Sequence, residues 1–241
     1  MAYAFTKAES DNLSIADNAA LSLGTALTLS AWFRLPENVG SAHRTLLGWG
    51  NYSSASGFVL IIGEASEATF ANKLRFYLRD AAGDAFLITS STTPGTSTAW
   101  QHVAIVRDGT TCKMYIGGSE VASETDATVD TVDRSAALKI GGPENLLAAR
   151  MFGGELADIG KYDAAWDTDK ISAVAGGKSL LWYPTSKAWH LPLLDNTTEL
   201  VVPLSVTNNG ATATTGPTLT YPFIDKSQHG WQYGWQYQGA C

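Results

Sequence analysis

The sequence lacks several features that would point to a class of partner. No run of Lys or Arg occurs in its 241 residues, which carry a net charge of −7, so neither nucleic acid nor an anionic membrane surface is expected to bind. The longest apolar runs, such as Phe58 to Ile62, have the length of a strand, so no membrane span is predicted. The opening MAYAFTKAES has no charged segment followed by an apolar run, so no secretory signal peptide is expected.

Cysteine and histidine are also scarce. Cys112 lies in a predicted strand and Cys241 is the last residue, so two free thiols or one disulfide remain open as interpretations. None of the four histidines stands in an HExxH, GxSxG or similar motif, and His102 is expected to be an ordinary strand side chain. No catalytic nucleophile or metal centre is indicated.

Paired carboxylates in a sugar groove would indicate a glycosidase, but the spacing here does not suit one. Glu155 and Asp158 are three residues apart, as are Glu64 and Glu67. On a regular strand, residues three apart lie on opposite faces. We therefore expect a protein without enzymatic activity and without a required cofactor.

The sequence is rich in strand patterns instead. Hydrophobic residues make up 45% and charged residues only 16%, which permits a large core. The stretch Trp100 to Ala122 predicts three strands joined by turns at Asp108-Gly109, which suits a type I′ turn, and at Gly117-Gly118. The first two strands are apolar on both faces, so both faces must be covered.

The rest of the chain repeats this pattern with little helix. Ala26 to Leu35 alternates strictly between apolar and polar residues and ends at Pro36. The single helix candidate is Asp167 to Ala175, with Asp167 or Thr168 as the N-cap and Gly176-Gly177 at its end. About a dozen strands at short spacing predict an all-β, antiparallel, two-sheet jelly-roll sandwich with one short helix.

Four segments in order resemble a known family. TLSAWFRLP, WQHVAIVRDGTTCKMYIGG, LKIGG and FGGELADIGKYDAAW, the last with its short helix, are similar to the laminin-G-like, concanavalin A-like jelly-roll domains over about residues 1–177. The resemblance implies a jelly roll. It also implies two binding activities that are common in the family, namely calcium binding at the rim of the sandwich and glycan binding.

The segment after the helix has a second resemblance. SLLWYPTSKAWHLPLLDNTTELVVPLSVTNNGATATTGPTLTYPFI is similar to a segment that follows this domain in many bacteriophage and prophage structural proteins, although Leu194-Asp195-Asn196-Thr197 replaces the usual Asp-x-Ser-Gly. The match implies that residues 180–224 return to the same sandwich, so we expect one domain over residues 1–224 and an aromatic tail over residues 225–241. It also implies a viral or bacterial setting. We expect a location in the virion after synthesis in the host cytoplasm.

The resemblance to this family therefore implies two kinds of ligand site. Glycan binding needs an aromatic platform in a loop, and we expect Trp49 and Tyr52 to form one, with Trp166 near another loop, although positions in the core are equally open for Trp49 and Tyr52. Trp32 and Trp100 are expected to fill the core. Calcium needs six to eight oxygens, which rim Asp and Asn residues could supply, although such residues also favour turns. The candidates are Asp11, Asn12, Asp17, Asp195 and Asn196.

The tail contains a tandem WQYGWQY. Its aromatic residues fall at odd positions, so they share one side of an extended chain and need cover from a partner or from the parent domain. We expect a structural protein that decorates a capsid or associates with a tail, as a homo-oligomer such as a trimer; the alternative is a lectin-like module that binds surface glycans. The expected partner-binding residues are Trp231, Tyr233, Trp235 and Tyr237.

Overall fold

Two antiparallel β-sheets stack face to face. The computed structural model describes residues 2–36, 42–50, 56–191 and 205–220, and these residues form fifteen strands and one α-helix. The predicted all-β sandwich is confirmed. No helix in these ranges is long and apolar enough to span a membrane.

The larger sheet has eight strands in the order β10-β9-β8-β3-β12-β1-β15, with β13 also paired to β12. The long strand β12 pairs with β1 along its first half and with β13 along its second half. The strands are β1 (Ala2–Phe5), β3 (Ala26–Arg34), β8 (Gln101–Asp108), β9 (Thr111–Ile116), β10 (Ser119–Thr125), β12 (Gly154–Tyr162), β13 (Lys187–Leu191) and β15 (Thr212–Thr214).

The smaller sheet has seven strands in the order β14-β2-β11-β4-β5-β6-β7. Its strands β4 and β5 are buried at every position, since both of their faces are covered. The strands are β2 (Asn12–Ile15), β4 (Arg44–Trp49), β5 (Gly57–Ile62), β6 (Leu74–Arg79), β7 (Ala85–Thr89), β11 (Leu138–Ile140) and β14 (Val206–Asn209).

The main core lies between the sheets. The predicted apolar row of β3 faces it, and so do Val103 and Ile105 of β8. The polar row of β3 faces outward, which places Thr28, Ser30 and Trp32 on the outer face of the larger sheet. The alternation in the sequence therefore gives the correct inner face of this strand.

The predicted three-stranded unit is confirmed, but its first turn differs from the prediction. Asp108 pairs with Thr111, so Gly109 and Thr110 are the central residues of that turn. Only Gly109 of the two has a positive φ, of 58°, which is the pattern of a type II′ turn and not of type I′. In the second turn Gly117 and Gly118 both have positive φ, as a type I′ turn requires.

A short helix covers the outer face of β8. The helix α1 (Thr168–Ala175) packs Ile171 and Val174 on Ala104 and Val106, in a second buried cluster beside the main core. The Asp167 side chain accepts a hydrogen bond from the Lys170 N–H and caps the helix. The predicted apolar cover on both faces of β8 is therefore confirmed.

The C-terminal segment adds strands to both sheets. β13 pairs with β12, β15 pairs with β1 at the edge of the larger sheet, and β14 pairs with β2 at the edge of the smaller sheet. The predicted boundary between residues 224 and 225 lies outside the described residues, and so does the aromatic tail.

Candidate functional site

The predicted aromatic platform at Trp49 is wrong. Trp49 ends β4 with no exposed surface, and its indole Nε1 donates a hydrogen bond to the Ala136 carbonyl at 2.8 Å. A ring in this position belongs to the main core and cannot stack on a sugar. Tyr52 lies outside the described residues, and so do Trp231, Tyr233, Trp235 and Tyr237.

The other tryptophans of the prediction lie on the outer face of the larger sheet. Trp166 is 6% exposed and packs between Tyr162 and Tyr183 under the helix. Trp32 is buried and Trp100 is half-buried in a small cluster, so neither fills the space between the sheets as expected. These rings seal the outer face of the larger sheet.

Buried polar groups follow the same outer face. His102 Nε2 lies 2.8 Å from Ser30 Oγ on the neighbouring strand. Asp158 accepts hydrogen bonds from the Leu180 N–H at 2.9 Å and from Ser179 Oγ at 3.2 Å, and its Oδ1 lies 2.6 Å from His190 Nε2. All six residues that supply these groups are at most 2% exposed, so no substrate reaches them. The arrangement is structural.

A β-bulge explains the position of Asp158. The register between β12 and β3 shifts between Ala157 and Gly160, and Asp158 has a φ of 45°. Ala157 and Asp158 therefore both face outward, as does Glu155, so the expectation of opposite faces for Glu155 and Asp158 is wrong. The burial of Asp158 against His190 still excludes it from a carboxylate pair in an open groove.

The predicted calcium ligands hold the chain in place. Asp11 Oδ2 accepts a hydrogen bond from the Thr6 N–H at 2.9 Å, and Asp17 Oδ2 accepts one from Ser135 Oγ at 2.9 Å. Asn12 Oδ1 accepts one from Asn209 Nδ2 at 3.0 Å. These oxygens are engaged by hydrogen-bond donors and do not form the cage of six to eight oxygens that calcium needs. Asp195 and Asn196 lie outside the described residues.

One cluster in the described residues brings three metal-ligating side chains together, namely His43, Glu64 and Glu67. His43 Nε2 lies 3.9 Å from Glu67 Oε2, whereas the ligand atoms of a tetrahedral zinc site are about 3.3 Å apart. His43 Nδ1 accepts a hydrogen bond from the Glu64 N–H at 3.2 Å, so the neutral ring carries its proton on Nε2. Burial lowers the pKa of His43, which favours this neutral form. The cluster does not fit a metal ion as it stands.

A groove of about 850 Å³ opens at one end of the sandwich. It lies where β1 runs into the 3₁₀ turn Lys7–Glu9, where β3 and β12 meet, and where β4 begins. This volume is in the usual range of ligand pockets. The lining residues that carry hydrogen-bonding side chains are Thr6, Lys7, Arg34, Arg44, Thr98 and Glu155.

An arginine–glutamate pair forms one wall of this end groove. Arg34 and Glu155 face each other across the β3–β12 register, and Arg34 Nε donates a hydrogen bond to Glu155 Oε2. That bond raises the pKa of Arg34. Thr214 Oγ1 donates to Glu155 Oε1 at 3.1 Å, and the Arg34 guanidinium carbon lies 5.3 Å from the centre of the Trp100 ring. The pair is thus held in place from two sides.

Two more cations stand on the other side of the end groove. A Cβ built at Gly153 would lie 3.3 Å from Lys7 Cβ and 3.6 Å from Arg44 Nη1, so the two side chains flank this glycine. Arg44 is 9% exposed, whereas Lys7 is half-buried. Burial lowers the pKa of Lys7, the positive charge of Arg44 lowers it further, and the carboxylate of Glu64 opposes this.

The family follows from the sequence as well as from the fold. A model of the concanavalin A-like lectin/glucanases superfamily, Laminin_G_3, matches residues 7–172. The chain belongs to this superfamily. The predicted jelly-roll family is confirmed, whereas no curated protein matches the sequence.

Solved structures share this concanavalin A-like fold at low sequence identity. One from Bacteroides ovatus, described as a "putative carbohydrate binding protein", has a TM-score of 0.66 at 17% identity, and the match covers 92% of this chain and 61% of that one. The binding domain of Paraclostridial Mosquitocidal Protein 1 has a TM-score of 0.52 at 16% identity, with 71% and 41% covered. A heptameric SAP-like pentraxin from Limulus polyphemus has a TM-score of 0.50 at 17% identity, with 68% and 75% covered.

At this low sequence identity, the similarities show the fold alone. The chain spans less than two thirds of the length of the first two solved structures. The family match and the three structures named above do not bear on the virion location, the docking on capsid or tail proteins or the trimer, so these stay predictions. These structures share the concanavalin A-like fold with the chain, whereas the end groove is a feature of this chain's own residues.

Proposed function

We propose that this protein binds carbohydrate and that the end groove is its binding site. The superfamily includes lectins, and the neighbour from Bacteroides ovatus is described in terms of carbohydrate binding, so both support this class of ligand. The observation that carries the proposal is the Arg34–Glu155 pair on the wall of a groove of suitable volume. This reading favours the lectin-like alternative from the sequence.

The pair has the chemistry that sugar hydroxyls need. A hydroxyl both donates and accepts hydrogen bonds, and the pair presents guanidinium N–H donors beside carboxylate acceptors. The Nη groups of Arg34 make no hydrogen bond within the described residues, so they can donate to a ligand. Because Trp100 and Thr214 hold the two side chains, little conformational freedom remains to be lost on binding.

The acidic residues that line the end groove favour carbohydrate binding without hydrolysis. Retaining and inverting glycosidases generally use two carboxyl groups on either side of the scissile bond. Among the described residues that line the end groove, Glu155 is the single carboxylate, and Arg34 neutralises it. A bound oligosaccharide should therefore be recovered intact.

The test is a glycan array followed by calorimetric titration of the best saccharide. We expect Glu155→Gln to weaken binding about tenfold, because it removes the charged partner of Arg34 and disorders both side chains. Glu120→Gln is the matched control, since Glu120 pairs with Lys113 at 2.9 Å on edge strand β10 of the same sheet. That variant should bind as the wild type does.

Two results would contradict the proposal. The first is an array on which no saccharide binds. The second is a saccharide whose affinity is unchanged in Glu155→Gln but lost in Trp182→Ala. Trp182 is 42% exposed and lies outside the end groove, so that outcome would place the site on its ring.

A further inference from the structure

One loop beside the end groove presents apolar side chains to solvent. Residues 142–151, which we call the apolar loop, lie between β11 and β12. Leu146 is 39% exposed and Leu147 is 46% exposed, and Ala148 and Ala149 after them are exposed as well. Within the described ranges, no other large apolar side chain this exposed has a second one next to it in the sequence. A single exposed leucine is ordinary, but an adjacent pair indicates a contact surface.

The backbone of the apolar loop is strained at Leu146. Its φ is 50°, in the left-handed region, where the Cβ of a leucine comes too close to the following carbonyl oxygen. The other non-glycine residues with positive φ in the described part of the chain are all polar, namely Ser10, Asn72, Asp158 and Ser186. Strain of this kind persists only where the surrounding structure holds it, and it is concentrated at ligand sites.

Both ends of the apolar loop are fixed to the sandwich. The Phe152 N–H donates a hydrogen bond to the Gly141 carbonyl at 2.9 Å, which closes the loop. Arg134 donates two hydrogen bonds to the Glu144 carboxylate, at 2.8 Å and 2.5 Å, and Met151 at the far end has no exposed surface. Because the backbone is held in this way, little conformational freedom remains to be lost when a ligand contacts the leucines.

The apolar loop is continuous with the end groove. Ala148 is one of the residues that line the groove, and it directly follows Leu147. No residue between Glu144 and Arg150 carries a charge. A saccharide whose hydroxyls contact Arg34 and Glu155 would therefore have an uncharged, apolar surface beside it at the rim of the groove.

We infer that the saccharide bound in the end groove carries an alkyl or acyl chain, and that this chain lies on Leu146 and Leu147. This inference rests on the proposed carbohydrate-binding function and names its class of ligand. The single methyl group of a deoxy sugar would cover only one of the two side chains, whereas a chain of several carbons would cover both. The driving force is the removal of apolar surface on the chain and on the leucines from water.

The experiment is a calorimetric titration of the full chain with matched glycosides, below the concentration at which they form micelles. The probes are methyl and octyl β-galactoside, methyl and octyl β-glucoside, and methyl 6-deoxy-β-galactoside. We expect one octyl glycoside to bind about tenfold more tightly than the methyl glycoside of the same sugar. Tenfold corresponds to about 1.4 kcal/mol, which the burial of roughly 60 Å² of apolar surface supplies.

Three variants locate the effect. Leu147→Ser should remove most of the advantage of the octyl glycoside and leave the affinity for the methyl glycoside unchanged. Leu87→Ser is the matched control, because Leu87 is 45% exposed on edge strand β7 and lies outside the end groove. That control should keep the advantage. Glu155→Gln acts on the sugar, so it should weaken the binding of both glycosides by the same factor.

A variant at Leu146 separates ligand binding from folding. Asparagine tolerates a positive φ better than leucine does, so Leu146→Asn should not lower the midpoint of urea unfolding. It should nevertheless reduce the advantage of the octyl glycoside, because it removes part of the apolar surface. A clear decrease in the midpoint, with the advantage intact, would show that Leu146 serves the fold and would overturn its role in binding.

The outcomes separate the two proposals. Equal affinity for octyl and methyl glycosides, or array saccharides that bind while no octyl glycoside does, would overturn the chain and keep carbohydrate binding. An advantage confined to the methyl 6-deoxy-β-galactoside would replace the chain by a single methyl group and overturn the inference as stated.

Three other results would also be decisive. An advantage that survives in Leu147→Ser, or that is lost in Leu87→Ser, would overturn the assignment to the apolar loop. Self-association of the free chain in analytical ultracentrifugation that Leu147→Ser abolishes would show that a second copy covers the leucines, which would also overturn it. Absence of binding by all five probes and by the array would overturn the proposed function itself.

Discussion

The buried His102 gives a prediction whose size follows from the structure. Its ring is 1% exposed, Nε2 lies beside Ser30 Oγ, and Nδ1 has no hydrogen-bond partner in the described part of the chain. A second N–H on this ring would be buried without an acceptor. Burial accordingly lowers the pKa of His102 from 6.5 to about 4, although the charge of Asp158 opposes this.

The sign and size follow from proton linkage. A histidine with a lowered pKa in the folded state takes up its proton first in the unfolded chain, so acid favours unfolding. The contribution of His102 to the free energy of unfolding is complete above pH 6.5 and is lost as the pH falls to about 4. A difference of this size between the folded and unfolded pKa corresponds to about 3 kcal/mol.

Urea unfolding from pH 7 to pH 4 measures this contribution. The wild type should lose about 3 kcal/mol more over this interval than His102→Asn, which does not titrate but can still bond to Ser30. Other titrating groups act alike in both proteins, so the difference between the two curves belongs to His102. Parallel curves, within about 1 kcal/mol, would refute the account of a buried neutral histidine.

Two further predictions concern buried groups. Asp158→Ala should lower the free energy of unfolding by about 3–5 kcal/mol, because it leaves the donors of Ser179 and Leu180 and the ring of His190 without their acceptor. Asp158→Asn should lower it less. In urea unfolding, a loss below about 1 kcal/mol for the alanine variant would contradict these hydrogen bonds. Burial raises the pKa of the Cys112 thiol to about 12, so peptide mapping after iodoacetamide treatment of the native protein at pH 8 should find Cys112 unmodified, and rapid alkylation would contradict its burial.

The strands were predictable because their signals are local. Strict alternation in Ala26 to Leu35 identifies the inner face of β3, and the glycines at 109, 117 and 118 mark the turns of the three-stranded unit. Even so, the prediction placed the first turn one residue too early, at Asp108-Gly109 and not at Gly109-Thr110, because both positions put Gly109 at a central residue of the turn, where a positive φ is needed. Pairing across strands decides between them, and a sequence pattern does not contain it.

The failures at Asp158 and Trp49 have a common cause. The bulge at Asp158 needs a positive φ, which aspartate tolerates, but an aspartate in a strand does not by itself predict a bulge. The bulge turns two successive side chains to the same face. Trp49 precedes Gly-Asn-Tyr, which resembles a loop, but both faces of β4 are covered by other parts of the chain. Burial at such positions depends on neighbours far away in the sequence.

The candidate site could not be found from a motif. Lys7, Arg34 and Glu155 are distant in the sequence and come to one end of the sandwich because β12 pairs with both β1 and β3. Arg44 lies at the same end, at the start of β4 in the other sheet. A partial signal was present, because Arg34 ends the outward polar row of β3. Its partner becomes evident only when the register of β12 is known.

The most direct test of the central claim is a crystal structure of the protein with the saccharide that binds most tightly in solution. The account predicts a sugar in the end groove, with its hydroxyls on Arg34 and Glu155. A saccharide bound on another surface, such as the exposed ring of Trp182, with the end groove empty, would contradict it.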